Sequence, residues 1–172
     1  MQTLSHAARP RLKADGSFAG YASLFGMEDQ GRDVVMPGAF RASLARRAAS
    51  EVRMLFQHDP AQPIGVWETI REDMHGLFVA GRLTLGVARA GEILALMRDG
   101  AIDGLSIGFR TRKAIRDSRT GQRRLYEIDL WEISVVTFPM LPGARIGAVK
   151  NTGRPVASIH HQHGIEAGFP RT

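Results

Sequence analysis

The chain has 172 residues, no cysteine and a net charge of +6 at pH 7, which fits one folded domain with a tail, able to bury roughly two thirds of its unfolded surface. The lack of cysteine excludes disulfides, thiolate metal sites and thiol nucleophiles, so a reducing interior is the expected compartment. No run of about 18 apolar residues occurs, and residues 1–11 lack the apolar centre of a secretory signal, so neither a membrane span nor export is expected.

In chain order, residues 1–17 read as an N-terminal lead-in that turns at Asp15-Gly16. Phe18 to Phe25 reads as a first strand, stopped by the polar, glycine-rich stretch Gly26 to Arg32; Val34-Val35 resumes an extended run. Pro37 suits the first turn of a helix, where its missing N–H costs nothing, and Phe40, Leu44 and Arg47 follow at helical spacing to about Ala49. Glu51 to Gln57 is the next predicted strand, closed by His58-Asp59-Pro60. Proline donates no ladder hydrogen bond, so His58 is expected at the last rung of that strand or the first loop position.

Ile64 to Arg71 and Leu77 to Leu85 flank the turn 72–76 and predict a hairpin with His75 at its tip. Val87, Ala90, Leu94 and Met97 recur with helical period, and Gly100 supplies a stop. From Leu105 to Arg112 large apolar side chains alternate with small or basic ones, a strand pattern; Asp117 to Gln122 is a turn, and Arg124 to Phe138 a long strand ended by Pro139 and Pro142. Residues 18–150 are thus the expected folded domain and 151–172 a flexible C-terminal tail. His160, His161 and His163 in that tail define no expected metal site, and no cofactor is expected. Single strands and helices do not alternate as in a doubly wound sheet. A strand-rich α+β fold follows, an antiparallel barrel or sandwich with helices packed outside.

The candidate chemistry centres on Ser106, a serine between Gly104-Leu105 and Ile107-Gly108 that follows a predicted helix and opens a strand. Residue types alone leave open a small side chain merely tolerated in a strand. His58 at a strand end and Glu132 in the following strand supply the other parts of a Ser-His-acid system, in the order His, Ser, acid. Gly-Leu-Ser-Ile-Gly satisfies the nucleophile-elbow pattern literally, but an elbow needs a strand before the serine and a helix after it, the reverse of this order. A hairpin turn centred near Arg119 would place Glu132 directly opposite Ser106, with Cβ atoms about 5 Å apart. Asp129, at an odd offset, would face the other way. The structural alternative pairs Glu132 with an arginine such as Arg110.

Five blocks in order carry a resemblance: Gly20-Tyr21-Ala22-Ser23-Leu24-Phe25; Asp33-Val34-Val35-Met36-Pro37-Gly38-Ala39-Phe40; Leu55-Phe56-Gln57-His58-Asp59 with Pro63-Ile64-Gly65; Asp103-Gly104-Leu105-Ser106-Ile107-Gly108-Phe109; and Trp131-Glu132-Ile133-Ser134-Val135-Val136-Thr137-Phe138-Pro139. Over about residues 18–147 the chain resembles the prohead (capsid maturation) proteases of tailed bacteriophages, a family related in fold to the herpesvirus assembly proteases. That resemblance implies a closed antiparallel β-barrel dressed with helices. It also implies a serine endopeptidase inside the immature capsid in the bacterial host cytoplasm, cleaving the scaffolding segment of the major capsid protein and itself. His58 would be the base, Ser106 the nucleophile and Glu132 the third member; where the herpesvirus enzymes carry a second histidine, this chain carries a carboxylate. A homo-oligomer is expected. The resemblance fits a phage, a prophage or a gene transfer agent equally.

The basic balance, with a pI near 10.7, favours an acidic partner. Its carriers, Arg46-Arg47, Arg110, Arg112, Lys113, Arg116, Arg119 and Arg123-Arg124, are scattered with few aromatics among them, so they read as a solvated face rather than a base-stacking platform. Nucleic acid is therefore expected only as an incidental partner. The rival function is a non-catalytic basic β-barrel module that binds an acidic scaffold or DNA inside the capsid.

Overall fold

The structure, a computed structural model, describes residues 12–147; the expectations for 1–11 and for the 151–172 tail, its histidines included, lie outside the described residues. The elements run β1 (Ser17–Leu24), β2 (Asp33–Val35), α1 (Arg41–Arg46), β3 (Arg53–Phe56), β4 (Asp59–Glu72), β5 (Gly76–Leu83), α2 (Ala88–Asp99), β6 (Gly104–Arg116) and β7 (Arg123–Val136). The predicted elements are all present, and the two hairpins, β4–β5 and β6–β7, join at the turns the sequence marks.

The strands form one curved sheet in the order β1-β5-β4-β3-β7-β2, with β6 also on β7. Because β6 lines one edge of β7 over its whole length, β2 and β3 share the other edge, both parallel to β7, β2 at Arg123–Leu125 and β3 at Glu132–Val135. The expected closed barrel is not formed. The sheet is an open half-barrel whose end strands, β1 and β6, do not pair; isolated bridges Gly20↔Ile146 and Gly104↔Arg145 cross the gap at one place only. A barrel closes only when every strand finds a second neighbour, and here the unpaired stretch of β6 beyond Leu105 leaves a cleft instead.

The concave side is filled by Phe18, Trp67, Ile64, Leu83, Leu105 and Ile133, with the Phe18 and Trp67 rings edge to face at 5.5 Å. Helix α2 covers β4 and β5 with a buried stripe of Ala90, Ile93, Leu94 and Met97, and ends at Gly100, whose φ of 76° suits a residue without Cβ. Burying each large side chain of that stripe contributes about 1.5–3 kcal/mol. Among the described residues no helix is long and apolar enough to cross a membrane.

Two local expectations differ from the structure. Pro60 does not interrupt the chain's extended course, because residues 60–62 bulge between the pairs Phe56↔Asp59 and Leu55↔Pro63, where no ladder N–H is required of them. The β6–β7 register is also two residues from the predicted one: Ser106 faces Ser134, and Glu132 faces Gly108. The turn's symmetry point lies between Arg119 and Thr120, since Arg116 pairs with Arg123. A bulge at Trp131, between Gly108↔Glu132 and Phe109↔Leu130, adds the second step. An even total shift keeps Glu132 on the face of Ser106.

Candidate active site

The site is built on the β7 stretch Glu132 to Ser134 and on the strands either side of it. On the β3 side, Phe56 pairs with Asp59, so Gln57 and His58 form a two-residue hairpin loop. Both have left-handed backbones, φ 54° and 59°, the pattern of a type I′ turn, whose twist matches the strands it joins. Without glycine such a conformation costs about 1–2 kcal/mol per residue. Hydrogen bonds to β7 offset it: Gln57 N donates to the Val135 carbonyl at 3.0 Å, Gln57 Nε2 to Thr137 Oγ1 at 2.7 Å and His58 N to Ser134 Oγ at 3.0 Å. The loop is thereby clamped to β7 and aims the imidazole along it.

There His58 Nδ1 meets Glu132 Oε1 at 2.5 Å, and the other carboxylate oxygen accepts from Ser134 Oγ at 2.7 Å. Both oxygens of Glu132 are therefore engaged. With the carboxylate accepting the Nδ1 proton, Nε2 is the nitrogen free to take another. The hydrogen bond to Glu132 is the main cause that raises the His58 pKa above 6.5, against the burial that lowers it. Glu132 pairs with the histidine and not with an arginine; Arg110 instead lies 5.6 Å from the centre of the Trp131 ring.

On the other side, Ser106 stands across the β6–β7 ladder from Ser134 and is only 5 % exposed. Directly opposed Cβ atoms lie about 5 Å apart, so Ser106 shares a rung with the side chain that holds both Glu132 and the His58 backbone. Its hydroxyl makes no hydrogen bond among the described residues, and Ser106 is one of the residues that line a cavity of about 160 Å³. Hydrogen bonds of this kind are often loose without substrate. The structure thus brings His58 and Glu132 into contact and sets Ser106 on the adjacent rung of the same face.

Ser134 was not legible as a functional residue. A fully buried serine in an apolar strand resembles core filling; the signal was its spacing, two residues after Glu132 and so on the same face. Gly108 is the second such residue. A Cβ there would fall 2.7 and 2.8 Å from Glu132 Cδ and Cγ, so the absence of a side chain is what lets the carboxylate lie across β6. The remaining candidates lie elsewhere. His75 sits in the β4–β5 turn, its amide bonded to Asp73, and Asp129 is bound to Arg112 and Arg47. Among the described residues no cluster of metal-ligating side chains occurs.

A half-barrel with an imidazole fixed by a carboxylate beside a buried serine is an arrangement chemically able to support nucleophilic acyl transfer. A family model described as caudovirus prohead serine protease matches residues 5–158, and the chain belongs to that family. It is 39% identical over 138 residues to the prohead protease of Enterobacteria phage HK97, covering 79% of this chain and 61% of that protein. It is 29% identical over 113 residues to the prohead protease of Escherichia phage T5, covering 65% and 53% respectively. The chain therefore spans less than two thirds of either relative. In fold it is similar to the bacteriophage T4 capsid assembly protease, with a TM-score of 0.61 at 14% identity over 72% of this chain and 82% of that one.

Proposed function

We propose that the chain is a serine endopeptidase of phage or phage-like head maturation, with Ser106 as nucleophile, His58 as general base and Glu132 as the group that orients the imidazole. The observation that carries this reading is the Glu132–His58 contact made from the same face, one rung away from Ser106. In the first half-reaction the Ser106 hydroxyl oxygen bonds to the scissile carbonyl carbon while its proton passes to His58 Nε2. The C–N bond then breaks as that proton is given to the leaving amine, and water repeats the sequence to release the acyl group. General-base assistance of this kind contributes about 10²- to 10⁴-fold.

The developing oxyanion requires donors near Ser106. Of the Gly143–Arg145 stretch that flanks the bridge to Gly104, the Ala144 N–H already donates to the Leu141 carbonyl at 2.9 Å, which leaves Gly143 and Arg145 as the backbone candidates. The substrate class follows from the family: the amino-terminal scaffolding segment of a major capsid protein, cut inside the immature capsid in the host cytoplasm. A fluorophosphonate should label Ser106 in the wild-type chain, and co-expression with a capsid precursor should shorten that precursor, with no shortening by Ser106→Ala. An unlabelled serine together with an intact precursor would favour the non-catalytic scaffold-binding module instead.

A further inference from the structure

We infer that the cavity beside Ser106 is the pocket for the side chain on the acyl side of the scissile bond, and that Asp29 at its wall selects a lysine or arginine there. The inference rests on the serine endopeptidase reading and adds a substrate class to it.

The cavity opens where the half-barrel fails to close, between the end of β1 and β6. Leu24, Met27, Ile107, Met140 and Leu141 make most of its wall, and Ser106 is part of the wall itself. A residue whose carbonyl carbon is bonded to Ser106 Oγ carries its side chain on the adjoining Cα, within reach of this space. Ser106 is the independent sign that something binds here, being 5 % exposed, part of the cavity lining and without a hydrogen-bond partner among the described residues.

Only two charged residues line the cavity, Asp29 and Asp33. Asp33 is consumed by Arg123, which binds it at two points, Nε to Oδ1 at 2.7 Å and Nη2 to Oδ2 at 2.5 Å. Asp29 has no such partner. Its Oδ1 accepts the backbone N–H groups of Gly31 at 2.8 Å and Asp33 at 2.9 Å, and Oδ2 has none among the described residues. Burial, with the Asp33 charge adding to it, raises the Asp29 pKa against the two amide hydrogen bonds and the more distant Arg123 charge, which lower it; no cation is in hydrogen-bond or salt-bridge contact with the carboxylate among the described residues. Apolar walls with one carboxylate that no cation contacts fit an aliphatic stem ending in an ammonium or guanidinium. A glutamate or aspartate side chain would meet like charge, and a plain aliphatic one would leave Asp29 unpaired.

Paired aminoalkyl diphenyl phosphonates, one with a lysine-like and one with a norleucine-like side chain, test this on the intact chain by the rate at which Ser106 is labelled. The lysine-like reagent should label at least about 10-fold faster. Asp29→Asn keeps an oxygen for the Gly31 and Asp33 amides, so the loop is retained, and it should remove that ratio while leaving the norleucine-like rate within about twofold. Equal rates for the two reagents in wild type, or a ratio that survives Asp29→Asn, overturn the pocket assignment and leave the nucleophile standing. Failure of both reagents and of a plain fluorophosphonate to label Ser106 overturns the endopeptidase reading and the pocket with it.

Discussion

Two carboxylates three residues apart on β7 have opposite surroundings. Glu132 faces a half-exposed imidazole and a serine, partners that can hand protons on. Asp129, on the far side of the Trp131 bulge, faces Arg112 at 2.9 Å and Arg47 at 3.4 Å. The adjoining Ser43 of α1 uses its hydroxyl to accept the Leu130 N–H at 2.9 Å. Guanidiniums do not titrate in this range, so that second cluster is a fixed tie between α1, β6 and β7. The hydrogen bond from Arg112 holds the Asp129 carboxyl below its ordinary range, whereas the carboxylate of Glu132 acts by moving its neighbour's pKa upward. The bulge is what separates the two: it gives β7 one extra residue against β6 and so divides the arginine-tied end of the strand from the end that carries the proposed site.

The contrast breaks most sharply at the proposed nucleophile and base. Ser106→Ala and His58→Ala should each lower peptide turnover by at least about 10⁴-fold, and the double variant should be no worse than either, since the pair acts as a unit. Comparable losses from His75→Ala with His58→Ala silent would move the base to the β4–β5 turn. Next in size is Glu132→Gln, expected to lower kcat by about 10²- to 10⁴-fold with little change in KM. The same loss from Asp129→Asn would erase the distinction between the two clusters; the expected result there is a lower melting temperature with kcat unchanged.

Ser134→Ala should cost about 10-fold or more in kcat, because it frees Glu132 Oε2 and the His58 amide together while removing one oxygen from a tight site. Its companion Gly108→Ala should reduce kcat by displacing the carboxylate.

The pH dependence sharpens the comparison at smaller amplitude. A general base must be neutral to take a proton, so on the proposed mechanism activity should rise with pH through the elevated His58 pKa, with the acid limb above 6.5. Stability runs the other way. A pKa raised on folding contributes stability that is fully present below the unfolded value and is lost as pH rises through the folded one. Glu132→Gln should pull the acid limb of the residual activity downward and flatten the stability slope in that window. An acid limb that stays in place would show that Glu132 does not set the imidazole's charge. Asp129→Asn should leave the limb untouched.

Much of this site could be read from residues. Pro60 marks His58 as a strand-end residue, and period-two spacing puts Glu132 on the serine's face whichever even register is adopted. The register itself could not be read, because half a residue at the turn and one at Trp131 are decided by packing and not by any turn signature. Gln57-His58 carries no glycine to announce a type I′ turn; its bonds to Val135, Thr137 and Ser134 hold it there, and those arise only in the folded sheet. Barrel closure was equally hidden, since the sequence pattern of a strand with one neighbour matches that of a strand with two. Asp29 read as an ordinary loop residue, because what distinguishes it is the loss of Asp33 to Arg123, ninety residues away.

β7 is the last strand among the described residues, and it is also the one that β2, β3 and β6 all pair with. During synthesis the histidine loop and the serine strand emerge first, but neither has its partner: the carboxylate, the Ser134 clamp and the carbonyl that fixes Gln57 arrive together on one late segment. A nascent chain lacking residues 123–136 would carry a serine and a histidine with no geometry between them. On the proposed reading, assembly of the site awaits the long-range pairing of β3 with β7, a non-local contact of the kind that forms late in folding.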